Sequence, residues 1–253
     1  MTESLLRIAA AQSIAVPGDI AANVALHCRL IVAAAAAGVE LLVFPELSLS
    51  GYELPLLQAC VVTPQDPALA PLRALVAAHG ITVVVGAPLP ADGQRPFIGA
   101  ITFFPDGRTG LYRKHHLHSG EERFVVAGQA DSCTHLLGQE RYALAICADI
   151  AQDCHPQAAS AAGATLYLAG VLISESGYAA DAARLKQHAE HFGMAVLMAN
   201  HGGPSGGYRC AGRSAFWSSQ GCQMIAAPGL GNGLVIASRA EETWSGEWLA
   251  LEG

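Results

Sequence analysis

Apolar runs of strand length alternate with helical segments along almost the whole chain, and the pattern occurs twice. Residues 39–44 read VELLVF. They are followed by a helix over 67–79 closed by Gly80, the strand ITVVVGAP and a hairpin around Pro105-Asp106-Gly107. Further on come ATLYLAG over 164–170, a helix over 178–192 closed by Gly193, the strand MAVLMAN and a second hairpin turned at Gln220-Gly221. Strands that are apolar almost without alternation are buried on both faces, which requires sheets covered by other layers. A duplicated half would set two sheets against each other with helices outside. The expected fold is therefore α/β, a four-layer α-β-β-α sandwich. No linker rich in Pro, Ser or charge separates the halves, so residues 1–253 are expected to form one domain.

The remaining elements fit that frame. Residues 7–16 (RIAAAQSIAV) read as the first strand, with Gln12 and Ser13 interrupting any signal-peptide core. Residues 19–37 read as a helix closed by Gly38, 141–147 (RYALAIC) as a strand and 155–162 as a short helix. With 52% hydrophobic and 14% charged residues the chain can bury a large core. A net charge of −7 without blocks of like charge argues against nucleic acid or an anionic membrane as partner. The longest apolar stretch, 30–44, is broken by Glu40 and is too short to span a bilayer. Seven scattered cysteines without a CxxC pair do not form a secreted disulfide framework, so a reducing, cytoplasmic setting is expected.

Three strand ends carry reactive side chains. Glu46 follows LLVFP, Lys114 follows LYR, and Cys147 ends ALAI. Each alone has a bland reading: a loop acid, a surface lysine, a packed thiol. Together they form a chemical set. A free thiol is mostly protonated at neutral pH, an ammonium nearby favours the thiolate, and a carboxylate can accept the proton. The same ammonium can stabilise an oxyanion.

The neighbours of these residues resemble the motifs of the nitrilase, or carbon-nitrogen hydrolase, superfamily. FPELSLSGY spans 44–52, YRKHHL spans 112–117 and CAD spans 147–149, in the family's order. HAEHFGMAVLMAN and GRSAFWSSQG are also similar to family segments, and the resemblance runs over roughly residues 5–239. It implies a Glu46–Lys114–Cys147 triad working without a cofactor. Glu46 would relay protons, Cys147 would attack the amide carbon, and Lys114 with the backbone N–H of Ala148 would hold the oxyanion. It also implies a further carboxylate in GEERFVVAG, either Glu121 or Glu122, with the spacing to Gly128 favouring Glu121. Cys-x-Asp points to the amidase branches, so the implied activity is hydrolysis of a small amide through a thioester. Nitrile hydrolysis and a non-catalytic binding role are the alternatives. The family further implies a homodimer or higher homo-oligomer.

The chain departs from the family just after the nucleophile. The usual hydrophobic-Arg-Phe-Pro-Glu run is replaced by Ile150-Ala151-Gln152-Asp153-Cys154-His155-Pro156, with Ala151 where the Arg would stand. A pocket without that cation should prefer neutral or cationic amides over acidic ones, unless Arg209 or Arg213 supplies the charge. His115, His116 and His118, with Cys154-His155 elsewhere, raise a metal reading. Neither HExxH nor finger-like spacing accompanies them, so no metal is expected.

Overall fold

The computed structural model describes residues 5–93, 95–129 and 134–251. In chain order the elements are β1 (Leu6–Gln12), α1 (Ile20–Ala36), β2 (Leu41–Val43), α2 (Ala70–His79), β3 (Thr82–Leu89), β4 (Phe97–Phe103) and β5 (Thr109–Arg113). Then follow β6 (Thr134–Leu137), β7 (Glu140–Ile146), α3 (Cys154–Ala161), β8 (Leu166–Val171), α4 (Tyr178–Phe192) and β9 (Ala195–Asn200). The chain closes with β10 (Ala215–Trp217), β11 (Gln223–Ala226), β12 (Gly233–Ala240) and β13 (Thr243–Ala250). Among the described residues these strands make two sheets, one of seven strands in the order β13-β12-β1-β2-β3-β4-β5 and one of six in the order β11-β10-β9-β8-β7-β6.

The internal repeat is real in the pairing. β1, β2 and β3 run parallel, and β4 and β5 add antiparallel. β7, β8 and β9 run parallel, and β10 and β11 add antiparallel. Alternation within each strand then sorts the side chains into layers. Val43 and Leu168 enter the core between the sheets, with Ile8, Leu144, Leu197 and Val235. Leu42 and Val83 point outward, where Leu30 and Ile31 of α1 and Leu72 and Val76 of α2 cover them. Tyr167 and Val196 point to the opposite outer face, under Ala159 of α3 and Leu185 and Ala189 of α4. This is the four-layer α-β-β-α sandwich expected from the apolar runs.

Both hairpin turns fall where the sequence places them. Gly107 donates to Phe104 O at 3.0 Å and Gly221 to Ser218 O at 2.8 Å. Other boundaries differ. β1 stops at Gln12 instead of reaching residue 16, because the N–H groups of Ile14 and Val16 turn to the side chains of Asn232 and Asn23. The helix expected from 67 opens as a short 3-10 turn, Pro67–Leu69, before α2 begins. β6, β12 and β13 are additions to the strands read from the sequence, although β12 carries the apolar run LVIA over 234–237. β13 is mostly exposed and β6 has only one buried residue.

One close approach positions the site. The turn after β2 lies between the two sheets, against a glycine from each. A Cβ on Gly86 of β3 would stand 2.3 Å from Pro45 O, and one on Gly170 of β8 would stand 2.8 Å from Phe44 O. Glycine inside a strand marks such an approach. VVVGAP and LYLAG therefore carry a signal for the contact, though not for its partner.

Candidate active site

Glu46 sits on the turn wedged between the sheets. Its carbonyl accepts from His201 Nε2 at 2.7 Å, and Ser48 on the same turn is joined by its Oγ to His27 Nε2 at 2.9 Å. Leu47 holds a positive φ of 51°. Lys114, immediately after β5, is fixed through its own N–H to Ile98 O at 2.9 Å, while its carbonyl accepts from Gly128 N at 2.8 Å. Cys147 opens a 3-10 turn at the end of β7 with a φ of 43°. A non-glycine residue in that region costs about 1–3 kcal/mol and is characteristic of functional sites.

The side chains converge. Lys114 Nζ donates to Glu46 Oε1 and to Glu121 Oε1, each at 2.7 Å, and all three groups are essentially inaccessible to solvent. Of the two acids in GEERFVVAG, Glu121 is the buried one. Glu122 is exposed and its carboxylate accepts from Gly120 N. Glu121 is also the better satisfied of the two buried carboxylates. It accepts from Tyr52 Oη at 2.5 Å and from the N–H of His118 at 2.8 Å. Glu46 Oε2 is buried with no hydrogen-bond partner among the described residues. Burial pushes the Glu46 carboxyl up to about 7, against the opposing pull of Lys114, and Glu121 pushes it further up.

Burial opposes the charge on Lys114, but Glu46, Cys147 and Glu121 together more than offset it and hold its pKa above the usual lysine value. The Cys147 thiol is raised well above its ordinary value, first by burial and then by Glu46, with Lys114 pulling it down. The ammonium's effect on the thiol has the expected sign, but burial is larger. Cys147 therefore rests as a thiol.

A cavity of about 350 Å³ opens onto these groups. Glu46, Cys147, Ala148, Tyr52 and Leu172 line it, and Cys147 Sγ lies 3.6 Å from Leu172 O. Ala148 is the second residue of the 3-10 turn, and the first N–H groups of a helix have no intrahelical acceptor. A larger groove of about 860 Å³ runs along α4 and meets this cavity at Ala151 and Arg184, but Glu46, Lys114 and Cys147 do not line it.

Asp149, the last residue of the CAD motif, holds the Cys147 turn to the Lys114 loop. Fully buried, it accepts from Ile146 N at 3.0 Å, Tyr112 Oη at 2.7 Å, His115 N at 3.2 Å and His116 N at 2.9 Å. Because Tyr112 gives its proton to Asp149, its oxygen accepts from His155 Nε2 at 2.8 Å, and His155 Nδ1 then accepts from Tyr167 Oη at 2.8 Å. His155 comes from the altered segment 150–156. Burial lowers it to about 4, so it stays neutral and keeps this one-way chain. No group of three or more His, Cys, Asp or Glu side chains among the described residues is arranged to hold a metal ion.

The arginines of RCAGRS do not reach the cavity. Arg213 lies 4.2 Å over the ring of Tyr178 and pairs with Glu175 at 2.5 Å, and Arg209 is exposed outside the lining. The cation that does line it is Arg184 of α4, with Asp181 one turn before it. Neither was identified from the sequence, and neither were the contacts of Tyr52, His201 and His155. Tyr52 lay within a quoted motif. His155 stands in the altered segment just after Cys147, while Asp181, Arg184 and His201 carry no local signal, since only chain crossing brings them to the site.

The comparisons agree with this geometry. A family profile described as carbon-nitrogen hydrolase matches residues 7–245. Among solved structures, the NitN amidase from Nesterenkonia sp. AN1 is 28% identical, with a TM-score of 0.86 and 93% of each chain covered. A glutamate-to-leucine variant of the amidase from that organism shows covalent addition of the acetamide moiety of fluoroacetamide at the active-site cysteine; it is 28% identical, TM-score 0.86, covering 93% of this chain and 91% of that one. A cysteine-to-alanine variant in complex with butyramide is 27% identical, TM-score 0.85, covering 92% and 90%. With its two-sheet sandwich and the profile match over nearly its whole length, the chain belongs to the carbon-nitrogen hydrolases of the nitrilase superfamily.

Proposed function

We propose that this protein hydrolyses a small amide through a thioester on Cys147, with Glu46, Lys114 and Cys147 as the catalytic triad. The observation that carries the reading is the buried lysine bridge, with Lys114 Nζ 2.7 Å from both Glu46 and Glu121, and with Glu46 lining the same cavity as Cys147. In this scheme Glu46 takes the Cys147 proton as sulfur attacks the carbonyl carbon. Lys114 and the Ala148 N–H receive the oxyanion. Glu46 returns the proton to the departing ammonia or amine, leaving the acyl group on sulfur. Glu46 then takes a proton from water, hydroxide adds to the thioester, and the thiol is released with the free acid. Glu121 is the positioning residue, its carboxylate 2.7 Å from Lys114 Nζ.

The cavity is at the small end of ligand pockets, which fits a compact substrate. Butyramide, bound by the cysteine-to-alanine amidase variant, is of that class. The reading also takes residues 1–253 as one domain, in a cytoplasmic setting supported by the free thiols at Cys28, Cys60, Cys147, Cys154, Cys210 and Cys222. Cys133 lies outside the described residues. Family resemblance supports a homodimer or higher assembly. No helix among the described residues is long and apolar enough to cross a membrane.

The test is ammonia release from amides, nitriles and carbamoyl compounds, with Cys147→Ala as control. The expected result is stoichiometric ammonia and acid from small amides, absent in the control. Turnover confined to nitriles, or ammonia release that survives Cys147→Ala, would overturn the assignment.

A further inference from the structure

We propose that Asp181 and Arg184 form a subsite for a zwitterionic substrate tail, one that carries an ammonium and a carboxylate together. The inference rests on the amide-hydrolysis reading above and extends it to the substrate's far end.

The two residues lie in the first two turns of α4, three positions apart and so on one face of the helix. Both line the cavity that Cys147 lines. Arg184 Nη1 and Asp181 Oδ1 stand 3.8 Å apart, beyond hydrogen-bonding distance. The pair is therefore close enough to stay ordered but loose enough to accept other partners. An arginine has five N–H donors and a carboxylate about four acceptor sites. The side chains are 40% and 31% exposed, so water or a ligand reaches both.

The other carboxylate and imidazole side chains that line the cavity are Glu46 and His118, and His118 Nδ1 lies 3.2 Å from Ser119 O. Glu46 is bonded to Lys114, and Lys114 is shared with Glu121. A substrate whose amide sits at Cys147 thus meets the Arg184 guanidinium and the Asp181 carboxylate, with the His118 imidazole in the same lining. Ala151 and Arg184 line both cavities. A tail with only a carboxylate would gain Arg184 but meet Asp181 beside it; a tail with only an ammonium meets the reverse conflict. A neutral tail gains neither. An α-amino-acid head places both charges on one carbon and satisfies both residues at once. The preference for neutral or cationic amides expected from Ala151 is replaced, because helix α4 supplies a cation that the segment after Cys147 lacks.

A matched set of amides tests this: butyramide, glutaramate, 4-aminobutyramide and L-glutamine, which differ only in what the fourth carbon carries. For the unaltered enzyme, kcat/KM for L-glutamine is expected to exceed that for each single-charge amide by about fivefold or more, the scale of one partly exposed charge contact. Arg184→Gln should lower the glutamine-to-butyramide and glutaramate-to-butyramide ratios by about fivefold, and Asp181→Asn should lower the ratios for the two amino-bearing amides by about as much. Equal kcat/KM for all four amides in the unaltered enzyme, or ratios that neither substitution moves, would show a solvated ion pair and overturn the subsite while leaving amide hydrolysis intact. The ranking in the unaltered enzyme decides even if a variant fails to fold. No ammonia from any of the four would overturn the amide reading, and this inference with it.

Discussion

Ser13 and Cys147 occupy equivalent places in the two halves. Ile8 pairs with Leu41 and Leu41 with Thr82, as Tyr142 pairs with Leu166 and Leu166 with Ala195. Counting along β1 and β7 from these registers brings Ser13 opposite Cys147, each just past its strand. Their surroundings differ. Ser13 continues into a parallel bridge with His201, its carbonyl accepts from Gly202 N at 2.8 Å, and its hydroxyl is buried without a partner among the described residues. Cys147 turns to positive φ, Asp149 secures the turn, and the thiol meets a cavity. The strand end as such does not make a nucleophile. Glu46 and Lys114 come from the half that carries Ser13, yet they serve the half that carries Cys147. The site exists only across the packed sheets.

The largest expected effect follows from making the second half resemble the first. Cys147→Ser should lower ammonia release by about 10⁴-fold or more, as removal of a nucleophile from a cooperating set does. Steady-state assay with an active-site alkylation count checks it. A variant within tenfold of the unaltered rate would break the comparison.

Lys114→Ala removes the bridge that the first half supplies. Loss of an oxyanion donor costs about 100- to 1000-fold in kcat. Here the substitution also leaves two buried carboxylates facing each other, so denaturant unfolding should show a loss of about 3–5 kcal/mol, smaller at low pH where the acids take up protons. Lys114→Arg should restore neither, because a planar fork cannot occupy the place of a compact ammonium. Unchanged unfolding at neutral pH would contradict the bridge.

The pH dependence separates activity from stability. Glu46 must be ionised to accept the thiol proton, so kcat/KM should rise about tenfold per pH unit and level off above about 7. The stability contribution has the opposite sign. The folded carboxyl is raised from 4.5 to about 7, so the fold binds the proton more tightly than the unfolded chain, and that contribution is lost as pH rises through this window. Glu46→Gln should flatten the stability term and abolish turnover. An acid limb that persists near 4.5 would exclude Glu46 as the titrating base.

The smallest effect lies at the equivalent position. Ser13→Ala removes a buried hydroxyl that has no partner, so stability should be unchanged or slightly higher, within about 0.5 kcal/mol, with ammonia release unaltered. A loss above about 1 kcal/mol would show that Ser13 carries a bond that Cys147's turn has given up.

Much of this was legible along the chain because it depends on neighbours in sequence. Apolar runs specify strands covered on both faces, Gly80 and Gly193 close helices, and FPELSLSGY, YRKHHL and CAD mark the three reactive side chains. Glu121 could be favoured over Glu122 by spacing alone, but only its burial beside Lys114 distinguishes them physically. The difference in hydrogen bonding between Glu46 and Glu121 was not legible. It depends on donors from Tyr52 and His118, which meet Glu121 only when separate loops pack together.

By itself the sequence determined the layers, the repeat and the chemical types at the strand ends, since local periodicity and residue chemistry suffice for these. The tertiary structure alone decided that burial outweighs Lys114 at the thiol, that Asp149 and His155 brace the Cys147 turn, and that Arg184 rather than Arg209 or Arg213 lines the cavity. Each of these turns on desolvation or on distances between residues far apart in the chain, and both arise only when the two sheets close on each other.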